Sequence, residues 1–172
     1  MFNFGIVVFP GSNCDHDCYH VVKHVLGHSA EFIWHQNTDL ASYDCIIIPG
    51  GFSYGDYLRT GSIASLSPIM NSVKEFAAAG GPVVGICNGF QVLVECGLLP
   101  GALIKNSGLK FICKWIYLKV ENNQTVFTNS LDMGDVLRMP VAHGEGNYFT
   151  DENGLGVLLA GSQIVFRYCD ED

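Results

Sequence analysis

Residues 82–91 read PVVGICNGFQ. The apolar run predicts a buried strand over Val83–Ile86, and the apolar spacing that follows predicts a helix over Gly89–Cys96, stopped by Gly97. Cys87 therefore stands at the carboxyl end of a strand, at the turn into a helix. In an open α/β sheet, ligands sit beyond the carboxyl ends of the strands, so this position faces the usual crevice. Gly85 and Gly89 flank the cysteine with residues small enough for a sharp strand-turn-helix elbow, the thiol counterpart of G-x-S-x-G. The helix N-terminus is expected to favour thiolate over thiol, and the backbone N–H of Asn88 to stabilise an oxyanion.

Working outward, Phe4–Phe9, Ala30–Trp34 and Cys45–Ile48 are further apolar runs closed by polar or glycine-rich segments, and they read as strands buried on both faces. Asp15–Leu26 predicts a helix with Cys18, Val21, Val22, Val25 and Leu26 on its buried side. A second helix starts with Ser67 as N-cap and Pro68 in its first turn, buries Ile69, Val73, Phe76 and Ala77, and stops at Gly80-Gly81. Strands alternating with helices imply a mostly parallel central sheet with helices on both faces. After about residue 108 the pattern changes to an antiparallel excursion. Lys110–Val120 and Thr125–Thr128 read as strands around a hairpin signal at residues 121–124, followed by a strand at Asp135–Ala142, a short helix at Leu155–Leu159 and a strand at Ile164–Tyr168. No repeat or linker interrupts the chain, so residues 1–172 are read as a single domain.

Composition narrows the function. Hydrophobic residues make up 48% and charged residues 15% of the 172 residues, the balance of a folded globule. A net charge of −8, with nine Lys and Arg residues scattered along the chain, disfavours nucleic acid. No apolar run approaches the roughly 18 residues of a membrane span, and the N-terminus does not read as a signal peptide, so a cytoplasmic location is expected. Seven cysteines at irregular spacing read as reduced thiols, and all but Cys87 as small core residues.

A second glycine cluster, IIIPGGFSYGDYLRTG (46–61), follows the third strand. It lacks the lysine of a phosphate loop, and Asp56 would repel phosphate. Gly50-Gly51 could instead offer a backbone N–H beside Cys87.

FPGSNCD (9–15), PGGFSYGDYLRTG (49–61), GICNGFQ (85–91), LKFIC (109–113) and PVAHGEGN (140–147), in this order, resemble the glutaminase subunit family of phosphoribosylformylglycinamidine synthase, class I glutamine amidotransferases of purine biosynthesis. The resemblance implies a class I amidotransferase-like, flavodoxin-like α/β fold. It implies that Cys87 attacks the carboxamide carbon of glutamine to give a thioester and ammonia, with Gly51 and Asn88 supplying the oxyanion-hole N–H groups. Gly50, Gln91, His143, Gly144 and Glu145 would hold the substrate. The implied partners are an ATP-dependent synthetase subunit, which takes the ammonia, and its small accessory subunit; no cofactor or metal is implied.

The family's catalytic histidine and glutamate lie in a Pro-His-Pro-Glu segment that these 172 residues do not contain, so the domain is expected to be C-terminally incomplete. Proton transfer contributes about 10² to 10⁴ in rate, and the isolated chain is expected to be a poor glutaminase. His143 with Glu145 is also a His-x-Glu, but it falls in the substrate-contacting motif. His16, His20, His24 and His28 recur every four residues and read as the solvated side of the first helix rather than a metal site. Two alternatives stand beside the enzyme reading: a catalytically silent scaffold that keeps the partner-docking surface, and a redox protein whose cysteine is oxidised rather than acylated.

Overall fold

The computed structural model describes residues 1–171, which cluster as two compact units, Met1–Pro100 (unit 1) and the chain from Gly101 onward (unit 2). Unit 1 contains β1 (Asn3–Val8), α1 (Asp15–His20), β2 (Ser29–Trp34), β3 (Cys45–Ile48), α2 (Pro68–Ala78), β4 (Val83–Gly85) and α3 (Asn88–Glu95). Its four strands are all parallel, in the order β2-β1-β3-β4. The two-residue period of a strand sorts the core. Val7, Ile33, Ile46 and Ile48 pack with Ile69, Met70 and Val73 of α2 and Val92 and Leu93 of α3, whereas Ile6, Ala30 and Ile47 pack with Val22, Cys18 and Tyr19. The expected helices on both faces are thus present.

Burial on both faces holds for β1 and β3 only. As edge strands β2 and β4 are less covered, and Phe32 and Trp34 of β2 are exposed. The first helix also departs from expectation. After His20 it widens into a π-helical turn over Val21–Val25, with Leu26 N–H donating to the Val21 carbonyl at 2.9 Å. The wider turn takes the face off the 3.6-residue period, so Val22 is buried while Val21, Val25 and Leu26 are exposed. His16, His20 and His24 lie exposed as expected, but His28 is half-buried and stacks on Phe4.

Ser67 precedes Pro68 at the start of α2 as predicted, yet its hydroxyl does not cap the helix. It lies 3.1 Å from the Tyr54 hydroxyl, which also lies 3.1 Å from Nδ1 of His35, a small polar cluster in the core. Burial holds the His35 pKa below its ordinary value. The folded state therefore binds a proton on His35 less readily than the unfolded chain does. This contribution to stability is complete above the unfolded-state pKa of about 6.5 and is lost as pH falls below it. In urea unfolding, wild type should lose stability between about pH 7.5 and pH 5.5 more steeply than His35→Gln, which lacks the titrating group.

Unit 2 contains β5 (Ala102–Ile104), β6 (Ile112–Val120), β7 (Val136–His143), β8 (Asn147–Phe149), α4 (Glu152–Ala160) and β9 (Phe166–Cys169). Antiparallel partners β7 and β9 flank β6, and β5 pairs with β8. Thr125–Thr128, expected as a strand, is a turn. The hydroxyls of Thr125 and Thr128 lie 2.7 Å apart, Thr128 Oγ1 donates to the Asn122 carbonyl, and the Thr128 N–H returns to the Thr125 carbonyl, so the segment satisfies its polar groups locally. The partner of β6 is instead the strand read at 135–142. The short helix predicted at 155–159 starts earlier, because Asp151 accepts from the Gly154 N–H at 2.7 Å as its N-cap.

Candidate active site

The carboxyl ends of β1, β3 and β4 bring three loops of unit 1 together. The last ladder pair of β3 and β4 is Ile48–Gly85, and the Ile86 N–H still donates to the Ile48 carbonyl at 3.0 Å. Past that point the two chains diverge. Gly50 and Gly51 leave β3, while Cys87 turns β4 into α3 with φ +50° and ψ −108°, a backbone conformation rare for a non-glycine residue. Such strain persists where the surroundings fix it, and here the fixing contact is backbone against backbone. A Cβ on Gly89 would collide with the Ile48 carbonyl oxygen, and one on Gly85 would lie 2.7 Å from the Gly89 carbonyl oxygen. The absence of side chains at these two positions lets α3 close onto the ends of β3 and β4.

Cys87 is exposed, and a Cβ on Gly50 would sit 3.4 Å from its Cβ and 3.7 Å from the sulfur of Cys14. The Cys14 N–H donates to the Gly50 carbonyl at 3.4 Å, and Gly51, at φ +134°, forms an isolated bridge with Ser12. Asn88 and Gln91 are buried in the first turn of α3. Asn88 Nδ2 donates to Gln91 Oε1 at 3.0 Å and to Asp56 Oδ1 at 3.3 Å, while Asn88 Oδ1 accepts from the Ser53 N–H at 3.1 Å.

The electrostatics differ from the sequence expectation. Crowding around the sulfur pushes the Cys87 thiol above its ordinary pKa; the Asn88 backbone N–H pulls it down as expected of a helix N-terminus, and the Asp56 carboxylate pushes it up again. Although the residue is exposed, local crowding of its sulfur outweighs the helix, so a thiolate at Cys87 is not favoured by α3 alone.

His143, Gly144 and Glu145 lie together in unit 2, at the end of β7 and in the turn that follows. Asn106, which no sequence motif singles out, organises that turn. It is 4% exposed; its Nδ2 donates to the carbonyls of Lys110 and His143, its Oδ1 accepts from the Gly146 N–H, and its own N–H donates to the Gly144 carbonyl. Because Nδ2 already serves two carbonyls, the atom 3.0 Å from His143 Nδ1 is an acceptor, and the proton of a neutral His143 sits on Nδ1. His143 and Gly146 line a groove of about 570 Å³ with Trp115 and Tyr117.

The model of the CobB/CobQ-like glutamine amidotransferase domain matches residues 2–172. The PurQ component of phosphoribosylformylglycinamidine synthase from Moorella thermoacetica is 56% identical over 169 residues, 98% of this chain and 72% of the relative. The chain belongs to the PurQ family of glutamine amidotransferases. PurQ of Alkaliphilus metalliredigens is 58% identical over 96% of this chain and 73% of its own length. The structure of PurLQS from Thermotoga maritima superposes with a TM-score of 0.88 at 43% identity, covering 99% of this chain and 76% of that one.

For this PurQ-family chain, the structure gathers Gly50, Gly51, Cys87, Asn88 and Gln91 in unit 1. Of the other six cysteines only Cys45 is buried, with its thiol pushed up to about 11, chiefly by burial. Cys113, read from the sequence as a core residue, is instead exposed on β6, and the rest are half-buried. Among the described residues no helix is long and apolar enough to cross a membrane. Residues whose structural part the sequence did not disclose are Ser53, Asp56 and Asn13 in unit 1, where the Asn13 backbone nitrogen would lie 2.9 Å from a Cβ on Gly51, and, separately, Asn106 in unit 2. The stretch FSYGDYLR held a usable signal for Ser53 and Asp56, since it lies in the glycine-containing segment after the third strand that carries the family resemblance.

Gly89→Ala should lower unfolding stability by about 3 kcal/mol, because the added methyl meets a backbone carbonyl rather than a movable side chain. A urea midpoint close to wild type would contradict the contact. Asn106→Ala should cost about 2–4 kcal/mol through the carbonyls and N–H it orphans, and should raise amide exchange at Gly144 and Gly146 selectively.

Proposed function

We propose that this chain is the glutaminase subunit of phosphoribosylformylglycinamidine synthase, with Cys87 as the nucleophile that hydrolyses glutamine to glutamate and ammonia. The observation that carries the reading is Cys87 held in left-handed backbone between β4 and α3, exposed and against Gly50. An elbow of this kind turns one side chain outward at the rim where ligands of parallel sheets bind.

In this reaction the Cys87 thiolate attacks the carboxamide carbon, and the developing oxyanion receives the N–H groups of Gly51 and Asn88. The C–N bond breaks as the departing nitrogen takes up the proton that a base removed from the thiol and leaves as ammonia. Water then adds to the thioester, releasing glutamate and restoring the thiol. Since crowding at the sulfur and Asp56 hold the thiol pKa up, attack requires a base as well as the helix N-terminus. Gly50 gives the substrate room beside the sulfur. Gln91 holds the remainder of the glutamine on unit 1; His143, Gly144 and Glu145 are the residues of unit 2 to which the family resemblance gives a substrate-binding role. The ammonia passes to the ATP-dependent synthetase subunit, which works with a small accessory subunit, and the assembly operates in the cytoplasm.

A chloroketone analogue of glutamine should label the chain once, at Cys87, with chloride as the leaving group. Glutamine should suppress labelling and Cys87→Ala abolish it. A chain that still binds the synthetase subunit but takes no label is a scaffold. Oxidation of Cys87 by peroxide without glutamine protection would favour the redox reading.

A further inference from the structure

The oxyanion hole of the proposed glutaminase needs two N–H groups on different segments, Gly51 after β3 and Asn88 at the start of α3. The ladder that fixes β3 against β4 ends at Ile48, before either donor. Beyond that point something else must set the spacing of the two N–H groups, and the loop from Ser53 to Asp56 is an awkward piece of chain to hold. Tyr54 and Asp56 both have φ of +53°, the left-handed region for non-glycine residues.

The geometry points to the Asn88 side chain as the positioning residue of this site, a carboxamide clamp that fixes the Gly50-Gly51 segment relative to Cys87. The carboxamide belongs to a residue that is 3% exposed, and it uses both ends. Its oxygen takes the Ser53 N–H, two residues beyond Gly51, and its nitrogen gives hydrogen bonds to Asp56 at the far side of the loop and to Gln91 one turn along α3. The Ser53 hydroxyl is buried without a partner among the described residues, so Ser53 joins the clamp through its backbone alone. One residue thereby offers a backbone N–H and, through its side chain, places the other donor. Chemistry that depends on donors held to within a fraction of an ångström is sensitive to such a link, since a displacement of about 1 Å can cost about 100-fold in rate.

The pattern of donors makes the proposal separable from simple packing. Asn88→Asp keeps the acceptor for the Ser53 N–H but sets a carboxylate against Asp56. Asn88→Asp combined with Asp56→Asn reverses the donor and acceptor across the same gap, and Gln91 can turn its amide nitrogen toward the new carboxylate.

The inference rests on the glutaminase reading, and the test distinguishes the two. Inactivation of the 172-residue chain by the glutamine chloroketone is followed as maximal rate and half-saturating concentration, alongside iodoacetamide alkylation of Cys87 and the thermal midpoint. If wild type is not labelled at Cys87, the glutaminase reading fails and the inference with it. Given labelling of wild type, Asn88→Ala and Asn88→Asp should each lower the maximal rate by about 10- to 100-fold, with the half-saturating concentration changed by less than about fivefold. Iodoacetamide alkylation should stay within about threefold, since that reagent forms no oxyanion. The reversed pair should recover to within about fivefold of the wild-type maximal rate. An unchanged maximal rate in Asn88→Ala overturns the clamp and leaves the glutaminase reading standing. So does a loss shared equally by iodoacetamide alkylation and the thermal midpoint, or a folded reversed pair that fails to recover.

Discussion

Helix α3 meets the ends of β3 and β4 at two glycines, with its own Leu93 side chain filling the space beside Gly85. Gly89 lies against the Ile48 carbonyl and Gly85 against Gly89 itself, and this backbone contact forces the turn at Cys87 into the left-handed region. The consequences propagate outward. Because the helix starts immediately after the cysteine, Asn88 and Gln91 fall in its buried first turn, and because Asn88 is buried there its carboxamide can reach the loop that leaves β3. With larger residues at 85 and 89 the helix would stand off, and the sulfur, the Asn88 N–H and the Gly50-Gly51 segment would lose their common reference.

That arrangement also sets the electrostatic problem. The same crowding that fixes the elbow raises the cost of ionising the sulfur, and the Asp56 carboxylate, drawn in by its hydrogen bond to Asn88, adds to the cost. The N–H at the head of α3 offsets only part of it. The helix N-terminus and the crowding thus act on the Cys87 sulfur in opposite directions. Unit 2 shows a related economy, with one buried asparagine, Asn106, holding the whole turn that carries His143, Gly144 and Glu145.

The positions of most strands and helices were legible in the sequence, because buried parallel strands demand continuous apolar runs and helices demand a 3.6-residue period. Cys45–Ile48 and the Ser67-Pro68 helix start are examples. Failures came where periodicity does not carry the information. The π-helical turn at Val21–Val25 breaks the period that the apolar letters suggested, and Thr125–Thr128, rich in strand-favouring residues, closes on its own hydroxyls. Cys87 stood out by its place and its glycine neighbours and Asp56 lay within a quoted motif without its partner being legible, whereas Asn106 sits in a polar stretch that looks like any loop.

By itself, then, the order of residues determined an α/β chain with a cysteine at a strand end, since local sterics and the burial of apolar runs follow from adjacent letters. It also carried the motifs by which the family is recognised. Only the tertiary structure decided which polar side chains meet across 32 to 37 positions of sequence, as Asn88 meets Asp56 and Asn106 meets His143. It likewise decided that crowding outweighs the helix N-terminus at the sulfur. The physical reason is the same in each case: desolvation and hydrogen-bond geometry depend on the packing of distant segments, which no local pattern encodes.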